Sequence, residues 1–358
     1  MLTKWETLFL LVMTLAIMGH VGILPLLLDV AGRDSWISIL LSIPLAFMFG
    51  YAIFRLRLKY PNQEFSSIIH TILGKPVGSI INFLLISYFL LLTIFSLALY
   101  SDFVFISFLP ETPQIAIIFW FMIFFIFATL KGIKRIALLA GILTFFSEIS
   151  GHTVTTLDTP MKDWRLLQPF LEFGWGPVLW GTLIITSVWV ELLLLFCVPL
   201  ENIREKRMFL LWGIGIILNV IMMLSTTTGC ITIFGLGQSQ DFIYPALESV
   251  RIISLGFIDR FDVYGLLLMS EGTYIRCSLF FRIAYDSTVS TVSSKWVKRG
   301  WFTGFVLLVF FGTYYLSREY LRLDRATDFY TYTVILIPIP FLLLGVSYLR
   351  GKKKTSKG

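Results

Sequence analysis

An all-α polytopic membrane protein with about ten transmembrane helices is the fold class this sequence predicts, and three observations predict it. Of 358 residues, 57% are hydrophobic and only 14% charged, against about 25% charge in soluble domains. The apolar residues come in continuous runs of ~20, the length that crosses a bilayer as a helix, not in the short alternating segments of a membrane β-barrel. The basic residues between the runs are also biased toward alternate connections, as the positive-inside rule requires.

The first span, 8–28, lacks a basic leader and a small-residue cleavage site, so it reads as a helix rather than a signal. Within it "MGHVGILP" places Gly19, Gly22 and Pro25 near mid-bilayer, where they weaken the helix. Span 2 covers 36–54. Spans 3 (78–108) and 7 (208–237) exceed the crossing length and allow tilt or extension. Span 4 covers 114–130, span 5 covers 136–157 and span 6 covers 175–200. The stretch 238–262 is too polar to cross and reads as an amphipathic, surface-lying or re-entrant extracytoplasmic segment. Spans 8 (263–285), 9 (301–317) and 10 (329–349) complete a single transmembrane domain, and 350–358 is a basic tail suited to anionic lipid.

With the N-terminus inside, inner segments hold 20 of the 29 basic residues, outer loops hold eight, and Arg276 lies within a span. That bias places both termini in the cytoplasm. Ten spans divide into halves of five, 1–157 and 175–349. An odd-numbered half inverts when repeated, as in inverted-repeat transporters, whose central site lies at interrupted helices in corresponding places. Span 1, interrupted by its glycines, and span 6, polar-marked by Glu191 with Pro199 about two turns later, are such a pair.

Glu191 sits within an apolar run, where a charge costs roughly 2.5–3.5 kcal/mol on insertion scales. It has two readings: a pocket carboxylate for a substrate amine or a proton, or a structural partner of a hydroxyl or freed N–H. Gly19, His20 and Gly22 also divide between ligand-facing backbone and close helix packing. Glu148 and His152 lie four apart on one helix face, either as a proton-coupling pair or a solvated interfacial one. Glu271 and Arg276, five apart, splay around their helix toward partners on others, and Glu271 is a further ligand-binding candidate. Asn82, Asp102 and Asn219 read as interhelical contacts, and the hydroxyls of "STTTG" (225–229) as back-bonded to their own helix. Cys197, Cys230 and Cys277 and the three histidines show no metal or disulfide spacing, so no metal or cofactor is expected. No nucleophile motif or metal-ligand set points to an enzyme. The basic residues cluster in short loops and the tail, so nucleic acid is not an expected partner.

The loops carry a resemblance. "GRDSWIS" has Asp34 and Trp36, "KYPNQEF" has Tyr60 and Pro61, and "ILGKPVG" has Gly74, Lys75 and Gly78. Thr112–Pro113 opens span 4, and "YPALESVRIISLGFIDRFD" has Pro245, Arg251, Ile253, Phe257, Arg260 and Asp262. In this order they resemble the B subunits of nutrient-germinant receptors of endospore-forming bacteria, a branch of the amino acid–polyamine–organocation transporters. The chain departs from that family at Val190, where Gly precedes the Glu, and at Met269 and Ser270, where a Trp is usual. The resemblance implies a LeuT-like five-plus-five fold with discontinuous helices 1 and 6. It implies a permease-like subunit that binds a small nutrient, often an amino acid, alongside A and C subunits in the spore inner membrane. An autonomous amino acid permease and a germinant-gated ion channel are the alternatives.

Overall fold

The computed structural model describes residues 1–358 apart from Asn62, residues 255–260, Thr291 and residues 356–358, with side chains described as far as Arg350. The described residues are helical, with one isolated bridge between Leu2 and Leu200. In chain order the α-helices are α1 (Lys4–Ile17), α2 (Leu24–Ala31), α3 (Ser35–Lys59), α4 (Phe65–Leu73), α5 (Lys75–Ser107), α6 (Gln114–Lys131), α7 (Ile133–Asp158) and α8 (Trp175–Trp189). They continue as α9 (Leu194–Cys197), α10 (Met208–Phe234), α11 (Leu236–Asp241), α12 (Pro245–Arg251), α13 (Asp262–Val289), α14 (Lys295–Ser317), α15 (Tyr320–Thr331) and α16 (Pro338–Thr355).

Local chemistry sets the boundaries. α1 begins in a capping box, with Thr3 N–H donating to Glu6 Oε2 (2.8 Å) and Glu6 N–H to Thr3 Oγ1 (3.4 Å). Gly74 and Gly132 each turn the chain between consecutive helices in one residue, at φ +84° and +88°, a conformation that favours glycine. Pro113 caps α6 and Pro245 opens α12, where a missing N–H costs no helical bond.

Every expected span is occupied by helix, but the set differs from the expected ten in one respect. Among the described residues, eight segments are both long and apolar enough to cross a membrane, four of them composite: Lys4–Gly22, Leu24–Lys59, Trp175–Cys197 and Tyr320–Arg350. The fifth and eighth expected spans, α7 and α13, have 26 and 28 residues. They are not among these eight; α7 carries Lys134, Arg135, Glu148 and Asp158, and α13 carries Asp262, Glu271, Arg276, Arg282 and Asp286.

Both nevertheless run from one end of the bundle to the other. Lys134, at the start of α7, pairs with Glu6 (2.8 Å) at the start of α1. Glu172, beyond the end of α7, pairs with Arg33 (2.7 Å) beyond the end of α2. Arg251, shortly before α13, donates to the Ser107 carbonyl at the end of α5 (3.2 Å). Arg282, near the other end of α13, donates to the Thr129 carbonyl close to the end of α6 (3.1 Å).

α13 packs along α5, α3 along α8, and α1 against α10, α7 and α13. The chain start is tied to the exit of α9 by Leu2 N–H to the Pro199 carbonyl (2.8 Å) and Glu201 N–H to the Leu2 carbonyl (2.9 Å). Two features differ from the sequence reading. α4 lies in what read as a loop, its Phe65, Ile68, Ile69 and Ile72 buried. The tenth span begins earlier, with α15. Within the polar stretch 238–262, Pro245, Leu247, Ser249 and Val250 of α12 are buried while Arg251 stays exposed. Amphipathicity was legible there, but a face turned into the bundle and a face laid on a membrane have the same pattern.

Candidate functional site

The first helix is interrupted where its glycines predicted. Beyond Ile17 the chain makes a π-helical turn, Met18–Gly22, before Pro25 enters α2 near its first turn. Gly19 faces Met223 of α10: a Cβ there would stand 2.2 Å from Met223 Cε, so a side chain at 19 would have to displace the flexible end of that methionine. Met18 N–H bonds the Leu15 carbonyl, and the Thr14 carbonyl accepts from Arg276 Nη1 instead (2.6 Å).

The sixth span is irregular at the corresponding place, but differently. Its four residues Val190–Leu193 tighten into a 3-10 turn between α8 and α9, and the chain leaves the helix only before Pro199. A β-branched valine holds ordinary right-handed dihedrals here (φ −58°, ψ −29°), so the helix is narrowed rather than opened.

Glu191 lies on that turn and is fully enclosed. Its carboxylate takes both terminal nitrogens of Arg276, with Nη2 to Oε1 at 2.5 Å and Nη1 to Oε2, and both side chains are 0% exposed. Tyr330 O–H also donates to Glu191 Oε1 (2.5 Å), and Arg276 Nε donates to Ser96 Oγ (2.5 Å). The guanidinium lies over the Phe280 ring at 4.9 Å. Such a bidentate, fully bonded geometry is what lets a buried ion pair withstand the loss of hydration of two charges. Glu191 lines neither of the cavities described next.

The larger cavity, of about 200 Å³, lies between α1 with its π turn, α7, α10, α12 and α13. Met13, Ile17, Leu247 and Met269 supply apolar wall, and His20, Glu148, His152, Ser225 and Thr226 supply polar atoms. His152 Nε2 lies 3.5 Å from Glu148 Oε2, with His152 63% exposed. Glu148 Oε1 and His20 Nδ1 are buried atoms without a hydrogen-bond partner among the described residues. The hydroxyls of α10 do both things weighed for them: Thr226 back-bonds to the Met222 carbonyl (2.9 Å), yet Ser225 and Thr226 line the cavity. Glu271 accepts from Ser147 Oγ (2.8 Å), placing it behind the cavity wall. The loop after α7 begins beside the cavity-lining Asp158. There Lys162 pairs with Asp158 (2.6 Å) beside Gly229, and the Arg165 guanidinium beside Asp163 holds that exposed carboxyl down to about 2.

A second cavity, of about 150 Å³, lies on the other side of Val21. Gly22 and Pro25 line it with Asp29, Asp102, Asp241, Asp324 and Asp328. Asp102 accepts from Tyr244 O–H (2.6 Å), an interhelical contact of the kind its position suggested.

The loop-motif residues lie away from both cavities or at their rims. Asp34 holds Leu171 N–H with both oxygens (3.0 Å each), and Trp36 meets Phe170 edge-on at 5.8 Å. Arg251 pairs with Glu248 (2.5 Å) and reaches Asp262 (3.8 Å). Phe257 and Arg260 lie outside the described residues. Asp34 is a fastener: Asp34→Ala should free the 168–174 loop at a cost of about 1.5–3 kcal/mol. Faster proteolysis near Leu171 with an intact helical core checks it; unchanged proteolysis refutes it.

Sequence reasoning missed Tyr330, Ser96 and Thr14 as partners of the ion pair. Nothing local marks them, since they come from α15, α5 and α1 and meet only through packing.

A family model described as spore germination protein matches residues 1–319. The chain is 31% identical over 290 residues to spore germination protein XB of Bacillus anthracis, covering 80% of each chain. It is 24% identical over 269 residues to spore germination protein KB of Bacillus subtilis, covering 74% of this chain and 71% of the relative. It is 25% identical over 264 residues to spore germination protein GerQB of Bacillus cereus, covering 71% and 70%.

Proposed function

We propose, from the premise that this chain belongs to the spore germination protein family, that it is the nutrient-sensing B subunit of a germinant receptor. It sits in the spore inner membrane with both termini cytoplasmic, alongside A and C subunits, and its ten helices form a five-plus-five repeat. Irregular turns at Met18–Gly22 and Val190–Leu193 support the repeat reading.

The observation that carries the ligand reading is the larger cavity at the interrupted first helix. It brings unpartnered Glu148 Oε1 and His20 Nδ1 to one largely apolar chamber. A carboxylate for an ammonium, imidazole and hydroxyl groups for a carboxylate, and a Met/Ile/Leu wall for a side chain together suit a small apolar amino acid.

A thermal-shift screen of the purified chain against the proteinogenic amino acids tests this, since a ligand that binds the folded state raises its melting temperature. L-Valine, L-leucine or L-alanine should stabilise it; no shift with any amino acid refutes the amino-acid reading. Glu148→Gln should weaken that binding about 10- to 100-fold through loss of one charge-assisted contact. Unchanged affinity in the variant refutes the location. Uptake of the labelled amino acid into vesicles holding this chain alone would favour an autonomous permease instead, and ion conductance would favour a channel.

A further inference from the structure

The Glu191–Arg276 cluster joins two groups of helices. Thr14 and Arg276 belong to α1 and α13, which form the wall of the larger cavity. Glu191 and Tyr330 belong to the 3-10 turn after α8 and to α15, neither of which lines that cavity. Between cavity and cluster, α1 and α13 touch closely. A Cβ on Gly272 would stand 2.7 Å from the Ile17 side chain and 3.5 Å from the Met13 carbonyl. Thr14 follows Met13 directly, and Arg276 lies one helical turn beyond Gly272. Any change of the α1–α13 spacing at the cavity therefore moves the atoms that grip Arg276.

A spare donor lies near the cluster. Tyr88 is buried on α5, about two turns before Ser96, and its ring meets Phe89 (5.4 Å), which meets the Phe280 ring beneath Arg276 (5.5 Å). It lies within electrostatic reach of Glu191, Arg276 and Tyr330. Its hydroxyl has no hydrogen-bond partner among the described residues, although a buried hydroxyl normally finds one.

We propose that Glu191–Arg276 is a two-position latch: Tyr330 holds the carboxylate in the arrangement seen here, and Tyr88 holds it in the other. Exchange of one tyrosine for the other keeps the carboxylate bonded in both positions. That is the condition for two states of similar energy, because a buried charge left bare is prohibitively costly. A ligand in the cavity biases the latch through Met13, Ile17 and Gly272, and α8, α9 and α15 carry the change outward. The ligand's part rests on the proposed function; the latch itself does not, and its test needs no nutrient.

The test uses Thr226→Cys in the cavity wall as a reporter, labelled with a membrane-impermeant maleimide against the background of the parent chain. Tyr330→Phe removes the donor of one position and Tyr88→Phe that of the other. The two should shift the labelling rate in opposite directions, each by at least about fivefold. Shifts in the same direction, or none, overturn the latch. Phe95→Leu covers a Tyr330→Phe chain that folds poorly, because Phe95 stacks under the Tyr330 ring at 5.7 Å. It should move labelling opposite to Tyr88→Phe, and an unmoved rate overturns the latch equally. A purely structural ion pair would lower thermal stability in these variants without opposing labelling shifts.

Discussion

Replacing Arg276 alone by methionine should cost about 3–5 kcal/mol of stability, the largest loss expected of any single side chain here. Glu191 would remain without its guanidinium in a site that excludes water, with only Tyr330 donating to it. The Thr14 carbonyl and Ser96 hydroxyl would lose their donor as well. Restoring apolar complementarity by the paired change Glu191→Leu/Arg276→Met should recover most of the loss, since well-packed apolar groups often replace a buried pair at no net cost. Thermal unfolding of the two single variants and the double variant in detergent measures this as a double-mutant cycle. A single Arg276→Met variant as stable as the parent, or a double variant worse than either single, would show that the pair is not what holds these helices together. The double variant should also respond poorly to ligand even when stable, because the latch would be gone.

The second large effect concerns packing rather than charge. Gly181 on α8 faces α2 and α3 so closely that a Cβ would lie 2.5 Å from Ser38 Oγ, 2.8 Å from Ala31 Cβ and 3.0 Å from Ser38 Cβ. Two of these atoms are Cβ carbons fixed to their backbones, so they cannot swing aside. Ser38 Oγ also donates to the Val178 carbonyl (2.9 Å), a bond that a side chain at 181 would displace. Gly181→Ala should therefore destabilise the chain by about 1–3 kcal/mol, and Gly181→Leu by more. Small residues let membrane helices approach to where dispersion contacts hold them, and lipid offers no hydrophobic drive to compensate. Melting temperatures should fall in the order Gly, Ala, Leu. Gly300 is the control: a Cβ there meets nothing within 4 Å, so Gly300→Ala should not lower stability. Equal stability of Gly181→Ala and the parent would refute the close-packing account.

The helices were legible because a membrane reduces their specification to a few local rules. A backbone in hydrocarbon must satisfy its own hydrogen bonds, so a run of ~20 apolar residues has few choices besides helix. The interruption at Met18–Gly22 was readable for the same reason, from glycines and a proline at one place. At the corresponding place in span 6 only Glu191 was a signal; that the turn at Val190 is narrowed was not readable, because no Gly or Pro lies in it and its dihedrals remain helical. For α7 and α13 the charges that make them interesting are those that weaken their membrane signal. A helix whose polar groups face inward is indistinguishable, residue by residue, from one too polar to cross.

The candidate site was legible only in its members. Sequence singled out Glu191, Arg276, His20, Glu148 and His152 because charged and imidazole groups are rare in apolar runs. It grouped Glu191 with the first helix's break as one pocket. The structure instead sets His20 beside Glu148 in a cavity and encloses Glu191 with an arginine from α13, 85 positions away.

By itself, the sequence determined the helical class, the places where helices must end or kink, and which polar side chains need a partner. These follow from the cost of exposing backbone or charge to hydrocarbon, a cost each residue carries wherever it lies. Which partner each charge took was decided only by tertiary packing. A carboxylate accepts equally well from an arginine, a tyrosine or a ligand's ammonium, and distance in three dimensions alone selects among them.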